Sequence, residues 1–136
     1  MRYLILLSIL FSPICYAEDV DMVKIAIIES SNNATAYNPV SNAYGKYQIT
    51  KPCLVDWNTA HPDEPYTLRE MFDAQKSYRV ANWYLNERIP SMLKHYGIPD
   101  TTENRLRAYN SGVGRVRQGV TPKETVQYIK KYKELA

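Results

Sequence analysis

The chain has 136 residues, enough for one domain and short for two. With 45% hydrophobic residues and a net charge of +3, it is too apolar for a disordered chain and too weakly basic to suggest a nucleic-acid binder. Twelve tyrosines and two tryptophans stand out; aromatic rings stack on sugars, but they also fill cores, so position has to separate the two roles.

Met1-Arg2 is a short positive start, Leu4 to Phe11 an apolar run interrupted by Ser8, and Cys15-Tyr16-Ala17 follows Pro13 as a small-x-small site. This layout predicts a secretory signal peptide over residues 1–17, cut after Ala17. The alternatives are a buried first helix or a retained anchor, although the run falls short of the roughly 20 residues that span a bilayer. Cleavage removes Arg2 and no acid, so the net charge falls from +3 to +2. The expectation is an exported catalytic domain over residues 18–136, in the periplasm or cell envelope, monomeric and without stable membrane insertion. Cys15 leaves with the signal, and Cys53 then has no partner. We expect a buried thiol, and neither a disulfide nor a metal site.

Residues Asp19 to Ser31 predict a helix with an acidic first turn and an apolar stripe of Val20, Val23 and Ile27, widened by Met22, Ile25 and Ile28. Residues 32–49, rich in Asn, Ser, Tyr and Gly, predict an ordered polar loop with a small hairpin around Tyr44-Gly45. Thr50-Lys51-Pro52 opens a second helix carrying Cys53, Leu54 and Trp57, followed by a Pro-rich loop from His61 to Tyr66. Thr67 and Glu70 have capping-box spacing, and Asp73 caps a helix to about Arg88 with Tyr78, Ala81, Tyr84 and Leu85 on one stripe. Pro90 kinks or restarts the chain, and Gly97 ends that segment. A helix capped at Thr101 or Thr102 runs to Tyr109-Asn110, and Ser111 to Gly114 form a turn. Thr121, Pro122 and Glu124 read as N-cap, N1 and N3 of a last helix with Val126, Ile129 and Tyr132. His61 and His95 are expected at the surface. The fold class is mainly α: a small helical domain with a long polar loop after its first helix.

Glu29 follows the apolar run Ile25 to Ile28. A carboxyl at the edge of a core has a raised pKa and can act as a proton donor near neutrality, as a shielded glutamate does in lysozyme. A solvated helix-end glutamate is the plainer reading of that residue alone. Further motifs stand in order along the chain: Glu29-Ser30; Tyr37-Asn38-Pro39; Ser41; Gly45-Lys46-Tyr47-Gln48; Ala108-Tyr109-Asn110-Ser111-Gly112-Val113-Gly114-Arg115-Val116; and Glu124-Thr125 with Tyr128-Ile129. Together they resemble the soluble lytic transglycosylase (SLT) domain, a relative of goose-type lysozymes, from about residue 20 to 132. Where the family usually has Gly-Leu-Met-Gln, this chain has Gly45-Lys46-Tyr47-Gln48, and Ser111 replaces a more usual alanine.

The resemblance implies a lysozyme-like fold with a substrate groove. It implies Glu29 as sole catalytic acid and base, and Ser41, Gln48, Tyr109, Asn110 and Tyr128 as substrate-binding residues. Gln48 can equally tie the loop down, Tyr109 can belong to the core, Asn110 can cap its helix, and Tyr128 can be packing. Glu124 reads as a capping residue. The implied reaction cleaves the MurNAc-β-1,4-GlcNAc bond of peptidoglycan and forms 1,6-anhydro-MurNAc, with no cofactor. A hydrolytic muramidase, in which an acid such as Asp56 or Asp63 positions water, is the alternative; a catalytically silent wall-binding protein is another. Glycan strands are the expected partner, with components of a secretion, conjugation, pilus or phage apparatus as further ones.

Overall fold

A computed structural model describes residues 17–136. The expected signal peptide lies outside the described residues, apart from Ala17. The architecture is the expected one, a small, mainly helical, lysozyme-like domain with a single two-stranded sheet.

Helix α1 spans Met22–Ser30. It starts later than the acidic run suggests because the Asp21 carboxylate caps it, accepting from the Val23 amide at 3.0 Å. It stops where Ser31 and Asn32 both take positive φ, and the Asn32 amide donates back to the Ala26 carbonyl. The expected stripe is corrected here: Val23 and Ile27 are 69% and 42% exposed, and the buried face is Met22, Ile25 and Ala26. Four-residue spacing puts Glu29 on that buried face, above Ile25 and Ala26.

The polar loop is ordered by backbone pairing. Strands β1 (Tyr37–Asn38) and β2 (Ala43–Tyr44) pair antiparallel, and Tyr44 then bridges to Ile49. The chain therefore reverses twice, once before Ala43 and once over Gly45 to Gln48. Helix α2 (Lys51–Ala60) buries Cys53, Leu54 and Trp57. Trp57 anchors the Pro-rich loop by donating its indole N–H to the Glu64 carbonyl at 2.9 Å. His61, expected at the surface, is half-buried: as the C-cap of α2, one turn after Trp57, it stacks on that indole with ring centroids 3.7 Å apart; His95 is exposed.

Thr67 and Glu70 form the reciprocal capping box, but it opens a 3₁₀ turn at Arg69–Phe72 rather than an α-helix. Helix α3 (Ala74–Trp83) is capped by Asp73, leads into a π-helical turn at Tyr84–Arg88, and passes into α4 (Ile89–His95). The expected kink at Pro90 takes this form. Proline has no N–H for the carbonyl four residues back, and the wider turn absorbs the break, with the Ile89 amide donating to Tyr84. Tyr78, expected on the stripe, is 43% exposed. Helix α5 (Thr102–Ser111) is capped by Thr101. The expected turn after it shrinks to Gly112, whose positive φ separates α5 from the short α6 (Val113–Arg117). Helix α7 (Lys123–Glu134) has Pro122 rather than Thr121 at its N-cap; its buried residues are Thr125, Tyr128 and Ile129, and Val126 is half exposed.

The core gathers Ile25, Ile49, Met71, Val80, Leu85, Ile89, Leu93 and Leu106, each at or below 1% exposure. Arg105 is the one buried cation among the described residues, forked onto Asp100 at 2.7 and 2.9 Å. Helices α5 and α7 pack on each other, and α7 also packs on α1. That packing sets the site.

Candidate active site

Glu29 stands in the last turn of α1, partly buried. Tyr128, from α7 and 99 residues later, donates its hydroxyl to Glu29 Oε1 at 2.8 Å. Glu29 takes part in no ion pair among the described residues. Burial therefore dominates and raises the carboxyl from an ordinary 4.5 to about 7, while the Tyr128 hydrogen bond pulls in the opposite direction. Tyr128 is 6% exposed and approaches Glu29 from the core side; burial and the nearby carboxyl push its own pKa well up.

In front of Glu29 lies a groove of about 510 Å³. It brings together five of the six residues singled out in the sequence: Glu29, Ser41, Gln48, Tyr109 and Asn110. The sixth, Tyr128, reaches the groove only through Glu29. Ser41 is exposed on the hairpin connection, its amide 3.5 Å from Asn38 Oδ1. Gln48 does both things open to it: it lines the groove, while its Nε2 donates to the Gly45 carbonyl at 2.9 Å and ties the loop. Tyr109 spends its hydroxyl on the Tyr47 carbonyl at 2.5 Å, so it offers the groove a ring edge and pins the loop to α5. Asn110 accepts from the Thr125 hydroxyl at 2.7 Å.

Three contributors escaped the sequence reading. Ser30 donates its hydroxyl to the Lys46 carbonyl at 2.7 Å, clamping the loop to the end of α1 beside Glu29. Tyr84, at the start of the π-helical turn, packs against the core and also lines the groove; burial raises its hydroxyl to about 12. Glu124, expected only as a cap, is exposed and lines the same groove. Periodicity carried no signal for Ser30, whose contact spans 16 residues, and for Tyr84 it marked the packing face without marking the groove.

Asp56 and Asp63 are not among the groove's lining residues. Asp56 pairs instead with Arg88 at 3.2 Å. Among the described residues, no group of His, Cys, Asp and Glu could hold a metal ion, and no helix is long and apolar enough to cross a membrane.

A small helical lysozyme-like domain, with one shielded carboxyl facing a groove of mixed polar and apolar lining, defines the class. Within it, the chain belongs to the transglycosylase SLT domain family, whose model matches residues 17–131. No curated protein and no solved structure matches it. The family is one of transglycosylase-type enzymes, and membership in it implies binding of peptidoglycan.

Proposed function

We propose that the protein is a lytic transglycosylase that cleaves the MurNAc-β-1,4-GlcNAc bond, with Glu29 as both acid and base. The observation that carries this reading is the Glu29 carboxyl, which lines the groove without an ion pair among the described residues, is backed by Tyr128 and is raised to about 7. A pKa near the working pH suits a group that must first give a proton and then take one.

In the first step Glu29 protonates the glycosidic oxygen, the bond from that oxygen to the MurNAc anomeric carbon breaks, and the GlcNAc end leaves as an alcohol. The substrate's own 2-acetamido group stabilises the positive charge, the role a second carboxylate fills in ordinary glycosidases. In the second step the Glu29 carboxylate takes the proton of the MurNAc 6-hydroxyl, whose oxygen closes onto the anomeric carbon. The 1,6-anhydro ring forms, Glu29 is again protonated, and no water is consumed. Gln48, Tyr109, Asn110 and Ser41 would hold the strand.

One observation favours a second reading. Glu124 lines the same groove and could activate water for hydrolysis, as in a muramidase. The test is to incubate purified peptidoglycan with the protein and its Glu29→Gln and Glu124→Gln variants, and to identify released muropeptides by mass spectrometry. Anhydro products from the wild type and Glu124→Gln, with none from Glu29→Gln, are expected. Reducing-end products that vanish in Glu124→Gln establish the muramidase, and no release by folded wild type sinks both in favour of a binding role. Export to the periplasm or cell envelope, and local wall opening for secretion, conjugation, pilus or phage machinery, complete the proposal; the signal-like start supports the export, and cell fractionation tests it.

A further inference from the structure

Thr125 lies in the first turn of α7 and is 0% exposed, on the same face as Tyr128 and Ile129. Its hydroxyl donates to Asn110 Oδ1 at 2.7 Å across the α5–α7 contact. A side-chain amide carries an acceptor on one branch and two donors on the other, and nothing in the amide itself decides which branch faces the groove. Thr125 decides it. Among the described residues, Asn110 Oδ1 is the one hydrogen-bond partner of that buried hydroxyl. Turning the amide over would put Nδ2 against it and leave the hydroxyl proton without an acceptor, at the cost of an unsatisfied buried donor. Asn110 lines the groove with Glu29, and among the described residues nothing accepts from its Nδ2.

We propose that Thr125 is a positioning residue: it locks the Asn110 amide so that Nδ2 is offered to the groove as a donor for an acceptor oxygen of the glycan. This rests on the reading that the groove takes a glycan strand. It makes Asn110 a donor site rather than a generic polar lining, and it gives the buried hydroxyl on α7 a part in substrate binding without contact.

Three substitutions separate this from packing. Thr125→Val keeps the shape and removes the hydroxyl. Thr125→Ser keeps the hydroxyl and loses a methyl group. Asn110→Asp still accepts from Thr125 but faces the groove with an oxygen instead of an N–H. All are made in the Glu29→Gln background, so that the probe, a tetrasaccharide of alternating GlcNAc and MurNAc, is not cut. Binding is measured by calorimetry, and the Asn110 side-chain amide is followed by ¹⁵N NMR.

Thr125→Val is expected to weaken binding about five- to tenfold, the loss of one well-placed hydrogen bond. Asn110→Asp should weaken it at least as much, and Thr125→Ser should bind within about twofold of the parent. The Asn110 NH₂ signals should shift on glycan addition in the parent and in Thr125→Ser. Undiminished binding by Thr125→Val or Asn110→Asp overturns the proposal, as does equal weakness of Thr125→Ser and Thr125→Val. A folded parent that binds no tetrasaccharide overturns the glycan reading together with it. Binding that behaves as expected, without anhydro products from the Glu29-containing protein, overturns only the transglycosylase reading and leaves the amide placement standing.

Discussion

Replacing Glu29 by Gln should change how stability depends on pH. A carboxyl raised from 4.5 to about 7 binds its proton more tightly in the folded state than in the unfolded chain. The stability it contributes is fully present below about pH 4.5 and is lost as pH rises through about 7. The whole difference amounts to about 3.5 kcal/mol at roughly 1.4 kcal/mol per pKa unit, of which about 2.5 kcal/mol falls between pH 5 and pH 8. Glutamine has the same shape and no proton to lose, so the variant lacks this slope while every other titrating group is common to both proteins. Urea unfolding of the two proteins at pH 5 and pH 8 reads it directly: the variant should gain about 2 to 3 kcal/mol on the wild type between the two pH values. Parallel stabilities across that interval would refute the claim that burial holds this carboxyl protonated near neutrality.

Tyr128→Phe removes the one side-chain donor to Glu29 among the described residues, so burial acts unopposed; the alkaline limb of the pH profile of kcat/KM should move to higher pH, and a move to lower pH would contradict the assignment. Gly45→Ala should cost more than about 2 kcal/mol in thermal or denaturant unfolding, because its φ is +81° and an added Cβ would lie 2.0 Å from the Met71 carbonyl oxygen. Cys53 borders the groove but is 6% exposed, and burial raises its thiol pKa, so a thiol reagent at pH 8 should label it only on unfolding; rapid labelling of the native protein would contradict that protection.

Helix positions were readable because Pro, Gly and capping residues punctuate them: Asp73 and Thr101 cap as expected, and Thr67 with Glu70 makes its reciprocal pair. Thr121 failed because Pro122, held at φ −58° and ψ 153°, itself takes the N-cap position and leaves the threonine outside the helix. The face of α1 was misread for a different reason. Seven of its residues up to Ile28 include six apolar ones, so periodicity is nearly flat and tertiary contact chooses the side. That choice carries the chemistry, since the face that α7 covers is the one on which Glu29 lies.

The site residues were legible as a set of motifs but not as a circuit. Ser30 and Tyr109 each hold a carbonyl of the segment Lys46–Tyr47, one from α1 and one from α5, so the loop can fold over the carboxyl only when both helices are in place. Tyr128 and Thr125 reach Glu29 and Asn110 from a single face of α7, three residues apart. Packing of α7 therefore dries the acid and orients the amide in one event. Loosening that helix would admit water to the carboxyl, lower its pKa and free the amide. For a groove built this way, the apolar run before Glu29 marks the carboxyl as lying at the core's edge, and the packing of α7 supplies the shielding and the Tyr128 donor that the run alone does not show.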